Sequence, residues 1–486
     1  MEIEDSPDFP RRGIMIDISR CKVPTIDTLC EIVDLMARLK LNELQLYTEH
    51  TFAFSEHEAV WHDASPLTAS DILFLDAYCR DRYVDLVPNQ NSFGHFERWL
   101  RHPEYHKYAE CPDGFEYPWG GRSQFGSVLK PNRTSLRLLK SLFAELLPNF
   151  TSDRFNVGCD ETWELGQGYS ADLCKEKGST KVYLDFLLEI HKLVAKHGRT
   201  MMFWGDIILH QPELIGELPK DIIALEWGYE AKHPFNRNCA HFAKAGAPFY
   251  VCPGTSSWNT LVGRTTNALA NLANAARNGA KHGAAGYLIT DWGDGGNHQY
   301  LPISYPGYFA GAAYSWCYTA NRDVDVAEAM DRIVFQDETG RLGGLMMQMG
   351  RACELVSRYY ANSTIFNHLL FSDIGTQHLL QNVKVRELEK CLEEFDRLEL
   401  EVAHTRPAAE DGALVKAELA NAIAMARCGA QRGLAGMDPA RMDAEGLRHT
   451  MQHIISQHEQ LWLARNRPGG LNESSGRLRK QLAKLG

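Results

Sequence analysis

Eight short apolar runs, separated by polar and helical stretches, constrain this chain more than any other feature. They are 13–19, 43–47, 84–88, 154–158, 200–204, 222–226, 248–252 and 286–290. Most are continuously apolar rather than alternating, as expected of parallel strands buried on both faces. Between them lie segments with apolar residues at helical spacing, most clearly 25–40, 68–82, 135–147, 181–196, 266–282 and 305–318. Thr68 or Ser70 is the expected cap of the second helix. The count and order predict an α/β fold of the (β/α)8 TIM-barrel type. An open doubly wound sheet is the structural alternative, but no glycine-rich phosphate loop follows the first strand.

Strand patterns stop near residue 322. The segments 383–402, 413–430 and 445–464 read as amphipathic helices, 433–439 as a turn, and the stretch from Arg467 onward as a polar tail. The expected organisation is a barrel over 11–321 and an α-helical C-terminal region over 322–486. The apolar stripes of that region would either form a homodimer or cover the barrel.

Charge narrows the partners. Lys and Arg number 51 against 62 Asp and Glu, a net charge of −11, which argues against a nucleic-acid surface and an anionic membrane. No apolar run is long enough to span a bilayer, and the first dozen residues lack an apolar signal core. The twelve cysteines show no CxxC pair and no zinc spacing. Cys21, Cys30 and Cys79 fall in helical or strand patterns, where a thiol is usually a small buried hydrophobe. A reduced, cytoplasmic protein is expected, or a secreted one if a leader has been removed.

Chemistry-bearing residues gather at one place in this pattern. Asp160 and Glu161 follow the fourth run directly; alone they read equally as a catalytic pair or as acids at a helix N-terminus. Arg20, Glu49, His95, Trp204, Asp206, Glu226, Trp227, Trp258, Trp292 and Asp294 also lie at or just beyond the C-terminal ends of runs. In a (β/α)8 barrel that rim is the active site. Trp204, Trp227, Trp258 and Trp292 are flat rings suited to stacking on a sugar, with Tyr250, inside a strand, a further candidate. Arg20, His95 and Asp294 offer charged hydrogen bonds to hydroxyls, and the Asp–Glu pair offers proton transfer. A metal-dependent hydrolase would gather several His or carboxylate ligands, whereas the first run ends Asp17-Ile-Ser-Arg20 with no His-x-His. A non-catalytic sugar-binding barrel would keep the tryptophans without needing the two acids.

Gly158-Cys-Asp-Glu161 resembles the G-x-D-E signature of glycoside hydrolase family 20, the β-N-acetylhexosaminidases. The resemblance covers roughly residues 11–320. Asp17-Ile-Ser-Arg20 is similar to the first-strand motif whose arginine binds sugar hydroxyls. Phe93-Gly-His95 resembles the histidine loop after the third strand, and Trp292-Gly-Asp294 the W-x-E motif of the eighth, with Asp for Glu. Tyr47-Thr-Glu49 and the helical C-terminal region resemble the hexosaminidase D-like branch. Asn156 stands where the motif usually begins with His. About a dozen residues precede the first strand, where many members carry a small α/β domain. The seventh-strand tyrosine that touches the acetamido group has no clear counterpart; Trp258 falls near its place, and Tyr250 and Tyr229 are candidates.

The resemblance implies an exo-acting, retaining enzyme that releases terminal β-GlcNAc or β-GalNAc from glycans or glycoconjugates without a cofactor. On an extended backbone, consecutive side chains diverge, so Asp160 and Glu161 cannot both face one atom. A two-carboxylate β-glycosidase would need a second acid about 5 Å from the first, and 251–259 contains none. By resemblance, the substrate's own acetamido oxygen is the nucleophile, Glu161 the general acid and then base, and Asp160 the residue that orients the acetamido nitrogen. Glu161 is then expected to be protonated at working pH, favoured by an apolar, tryptophan-lined pocket. A two-carboxylate glycosidase of other specificity remains the alternative.

Overall fold

A computed structural model describes residues 5–485. Eight parallel strands form one sheet: β1 (Arg11–Asp17), β2 (Glu43–Tyr47), β3 (Asp85–Val87), β4 (Arg154–Asn156), β5 (Thr200–Trp204), β6 (Ile222–Trp227), β7 (Phe249–Cys252) and β8 (Gly286–Asp291). Their order is β3-β2-β1-β8-β7-β6-β5-β4. The remaining seam closes through a parallel bridge between Asn89 and Asn156. There Asn156 N donates to Pro88 O at 2.9 Å, and Gln90 N to Asn156 O at 3.0 Å. The chain is a (β/α)8 barrel with a helical C-terminal region.

Side chains alternate along each strand between the barrel interior and the surrounding helices. In β1, Met15 points inward with Tyr47, Val87, Met202 and Leu288, while Ile14 and Ile16 join the outer layer. The helices begin where the sequence supplies side-chain acceptors. Helix α1 (Ile26–Arg38) is capped by Thr25, and helix α2 (Ala69–Arg80) by a reciprocal Thr68–Asp71 capping box, so Thr68 rather than Ser70 is the cap. Asn132 caps α3 (Arg133–Leu146), which is followed by α4 (Ser179–Ala195). The β5–β6 crossover holds only the short 3₁₀ turns Ile208–His210 and Pro212–Glu217. The next crossover carries α5 (Phe235–Ala245), seated by Phe235, Cys239 and Phe242. Helices α6 (Thr265–His282) and α7 (Tyr305–Asn321) complete the ring.

Beyond the barrel, the longer helices are α8 (Val385–Ala403), α9 (Gly412–Met437), α10 (Ala444–Arg465) and α11 (Leu471–Leu482). Two expectations are corrected here. The stretch 433–439 is not a turn: α9 continues to Met437. A Cβ on Gly433 would lie 2.7 Å from Leu369 Cδ1, and one on Gly436 2.7 Å from Gly375 N. These glycines therefore allow close packing rather than breaking the helix. The polar tail after Arg467 is in fact α11, docked on the barrel's upper rim. Glu473 pairs with Arg98 at 2.6 Å, and Ser474 Oγ donates to Gly296 O at 2.6 Å. The buried Arg465 guanidinium ties α10 to α9, meeting Glu418 at 2.8 Å and Asp411 at 2.6 Å. Its carbonyl accepts from Thr25 N at 2.9 Å. A buried cation satisfied in this way fixes one docking geometry.

Candidate active site

The site is assembled at the C-terminal ends of the strands. Asp17, fully buried at the end of β1, accepts from Ser19 N (2.8 Å), Arg20 N (3.1 Å) and Gly293 N (3.0 Å). It thereby turns the chain after β1 and ties that turn to the loop after β8. The Arg20 guanidinium reaches Glu49 at 3.0 Å and Asp17 at 3.4 Å. It also lies over the rings of Tyr47 (4.8 Å) and Trp292 (5.3 Å). Glu49 accepts from Tyr47 OH at 2.9 Å. Burial pushes the Glu49 carboxyl up to about 7, with Arg20 and His95 pulling the other way.

Asn91 organises the acid loop. Its Oδ1 accepts from Ser92 N and Cys159 N, both at 3.0 Å. Its Nδ2 donates to Asp160 Oδ1 (2.9 Å) and Tyr47 OH (3.0 Å). Gly158 has φ 67, and a Cβ there would strike the Asn91 side chain at 2.6 Å, so only glycine fits. Cys159 and Glu161 are also left-handed, with φ 68 and 52. Non-glycine residues in that region carry backbone strain, which clusters at functional sites.

This backbone corrects the expectation that Asp160 and Glu161 diverge from any common atom. The chain is not extended here, and both acids approach His95 Nε2: Asp160 Oδ2 at 3.2 Å and Glu161 Oε2 at 3.4 Å. His95 itself is left-handed (φ 57). Gly94 permits this approach, since a Cβ there would sit 2.3 Å from Asp160 O. Burial would lower the imidazole pKa, but Asp160 and Glu161 outweigh it and hold His95 well above its ordinary value. Burial would raise Asp160; His95 and Asn91 instead keep it below the usual carboxylate range. Asp160, His95 and Glu161 bring ligand atoms within 4.8 Å of one another. The raised imidazole pKa favours a positive charge at that point, and the Arg20 guanidinium lies 3.4 Å from His95 Nδ1.

Asp206, just past β5, accepts from Glu161 N at 3.1 Å and from Trp227 Nε1 at 3.4 Å. Burial and the neighbouring Asp160 push its carboxyl well up, which suits a protonated group beside the ionised Asp160. Asp294 is half-buried, its carboxyl raised by burial against the pull of Arg20.

The aromatic residues divide into two groups. Trp292 stands edge-on to Tyr47 at 4.8 Å and donates from Nε1 to Tyr229 OH at 2.7 Å. Trp227 stacks on Tyr229 at 5.1 Å and is the most open of the four candidate tryptophans. Trp204 and Trp258 are each 1% exposed. Trp204 forms the floor under Trp292, and Trp258 backs Tyr229 edge-on at 5.0 Å. They support the wall from behind instead of forming its surface. Tyr250 is a correction: it points into the barrel base, donating to Glu43 Oε2 at 3.2 Å, at the opposite end from the acids. Glu226 also turns away from the acids, accepting from His233 and Asn238, each at 2.8 Å. Asn91 and Tyr229 complete the site. Tyr229 was only one of several candidates in the sequence, and an asparagine in a polar loop carries no local signal.

The long 97–130 loop is fastened to the loop after β4 by two buried glutamates. Glu110 Oε1 accepts from Ser170 N (2.9 Å) and Ser170 Oγ (2.6 Å). Glu164 accepts from Ser127 N (2.8 Å), Ser127 Oγ (3.0 Å) and Val128 N (3.1 Å). Burial pushes the Glu164 carboxyl up from 4.5 to about 7 despite these donors. Between those values the folded chain holds a proton that the unfolded chain has released. Stability should therefore fall as pH rises from 4.5 toward 7 and level off above it, with Glu49 adding the same sign. Melting temperatures across that window should decline less steeply in Glu164→Gln than in the parent; equal slopes would count against a raised Glu164.

A family model described as "Glycosyl hydrolase family 20, catalytic domain" matches residues 9–258, just over half the chain. A beta-hexosaminidase of Akkermansia muciniphila is 28% identical over 243 residues, covering 43% of this chain and 48% of that protein. Hexosaminidase D of Bos taurus is 26% identical over 223 residues, 43% of this chain and 60% of that one. The chain thus spans about half the length of the curated relatives it matches. Among solved structures, a beta-N-acetylhexosaminidase superposes with a TM-score of 0.52 at 20% identity, over 64% of this chain and 72% of that one.

Proposed function

Because the chain belongs to glycosyl hydrolase family 20, we propose that it is an exo-acting, retaining β-N-acetylhexosaminidase working through the substrate's 2-acetamido group. The observation that carries this reading is the pair of unequal acids that meet at His95. Asp160 is clamped by Asn91 and His95 and kept ionised. Glu161 has a side chain 29% exposed against 7% for Asp160, so it is free to leave the imidazole for the leaving oxygen. The loop after β7 supplies no carboxylate for a second protein nucleophile.

In the proposed reaction, the acetamido oxygen attacks the anomeric carbon as its bond to the leaving oxygen breaks. Glu161 gives that oxygen its proton. The resulting oxazolinium carries positive charge on nitrogen, which the ionised Asp160 stabilises. Glu161, now a carboxylate, takes a proton from a water that opens the ring at the anomeric carbon, and two inversions give retention. Tyr229 OH already accepts from Trp292, so its own proton is left to bind the acetamido oxygen. Arg20, Glu49 and Asp294 are assigned to the sugar hydroxyls, and Trp227 and Trp292 to its apolar face. No cofactor enters this chemistry. All twelve cysteines are unpaired, which supports a reducing compartment, and among the described residues no helix is long and apolar enough to cross a membrane.

Nitrophenyl β-GlcNAc, β-GalNAc, β-glucoside and β-galactoside test the reading side by side. The acetamido sugars should be cleaved and the 2-hydroxyl sugars negligibly, and a thiazoline mimic of the cyclised intermediate should compete tightly. Efficient cleavage of the plain glucoside would show that a protein carboxylate is the nucleophile.

A further inference from the structure

A cavity of about 400 Å³ lies where α11 docks on the barrel rim. Cys21, His50, Arg98, Arg101, Gly470 and Asn472 line it, and none of the acids or rings of the active site does. Close approaches of the backbone set its walls. A Cβ on Gly469 would strike Ala64, and one on Gly470, where φ is 77, would strike Cys21 O. Arg467 N donates to Val23 O at 2.8 Å, and Gly469 N to Ser65 Oγ at 2.9 Å. Helix α11 therefore begins at a fixed place beside the cavity, and no side chain caps its first turn.

Positive charge prevails at this wall. His50 is 5% exposed, and its buried Nδ1 has no hydrogen-bond partner among the described residues. Burial holds the imidazole well below its ordinary pKa, and the guanidinium groups of Arg98, Arg101 and Arg20 push the same way with no carboxylate opposing them. Arg101 forms no ion pair or side-chain hydrogen bond among the described residues; burial and Arg98 lower its pKa, against a weaker pull from Glu473 and Asp63. Of those two carboxylates, Glu473 is engaged by Arg98 at 2.6 Å. Asp63 turns outward beside His62, its side chain 90% exposed. An unpaired guanidinium, a buried imidazole without a partner and the N-terminal end of a helix share one space, and together they are the elements of an oxyanion site.

We propose that this cavity binds a phosphate monoester, its oxyanion held by Arg101, a ring nitrogen of His50 and the amide end of α11. The volume is in the range of small-molecule sites and larger than a bare phosphate fills, which leaves room for an organic part of hexose size. The site is separate from bond cleavage. It is nonetheless next along the chain to the Arg20–Glu49 pair, since Cys21 follows Arg20 and His50 follows Glu49.

Calorimetric titration of the full chain at low ionic strength, with inorganic phosphate and with glucose 6-phosphate, tests the proposal. The ester should bind with a Kd of about 1 mM or tighter, and at least as tightly as inorganic phosphate. Arg101→Gln, at an exposed position, should weaken binding about tenfold or more, and Arg101→Lys should retain most of it. His50→Leu should weaken it by about tenfold, through loss of the ring nitrogen. Glu161→Gln should bind the ester as the parent does, because Glu161 lies outside the cavity. Equal affinity in the parent and Arg101→Gln, or binding of neither compound, would overturn the site. Loss of binding in Glu161→Gln would place the anion at the catalytic acids and overturn it as well. Binding of inorganic phosphate without binding of the ester would refute the monoester assignment.

Discussion

Glu161→Gln should cut turnover of a natural disaccharide by roughly 10²–10⁴-fold, the usual worth of a positioned general acid. The glutamine keeps the size of the side chain and can still sit near His95 Nε2, where Glu161 Oε2 now lies at 3.4 Å. It has no proton to give a sugar alkoxide. The deficit should therefore shrink sharply with an aryl leaving group that departs unaided, such as dinitrophenolate. The second step, in which the carboxylate activates water, should then become rate-limiting for that substrate. Steady-state and burst kinetics on the two substrates separate these cases. A variant that hydrolyses the disaccharide at near-parental rate would remove Glu161 from the acid role.

Asp160→Asn should lower kcat by about 10²–10³-fold with a much smaller change in KM, because the lost charge matters chiefly once positive charge develops on the substrate. The Asn91 amide can still donate to the remaining oxygen, so the loop geometry has a means of surviving. The affinity for a thiazoline mimic should fall alongside kcat, since both report stabilisation of the cyclised species. His95 should also lose its proton more readily, because Asp160 is the strongest of the groups that raise it. Its titration, followed by NMR, should move down in this variant. A loss confined to KM, with kcat intact, would make Asp160 a ground-state contact and refute the assignment.

Much of this site is legible in the amino-acid sequence. Arg20, Glu49, His95, Asp160, Glu161, Trp227, Trp292 and Asp294 lie on one rim because a strand followed by a helix has one exposed exit, and the repeat of that unit is written locally in hydrophobic pattern. The helix boundaries follow from local chemistry too, as at Thr68 with Asp71.

Other features depend on contacts between distant segments. Tyr250 and Tyr229 are equally aromatic in sequence, yet one lies at the barrel base and the other between Trp227 and Trp292. The choice is set by the register of β7 against its neighbours, in which Tyr250 pairs with Gly286 at the start of β8. The convergence of Asp160 and Glu161 on His95 needs left-handed residues at 158, 159 and 161, held there by Asn91. No periodicity predicts such a turn, because its stability comes from hydrogen bonds to a loop about seventy residues away in the chain. In the same way Gly433 reads as a breaker until Leu369 is packed against it. The α11 segment likewise reads as a polar tail until Arg98 and Gly296 meet it. Local pattern determined the barrel and the rim of acids and aromatics, since each depends on neighbours a few residues away. The tertiary structure alone decided which side chains face one another across that rim, because those choices are made by register and by long-range polar contacts that leave no local trace.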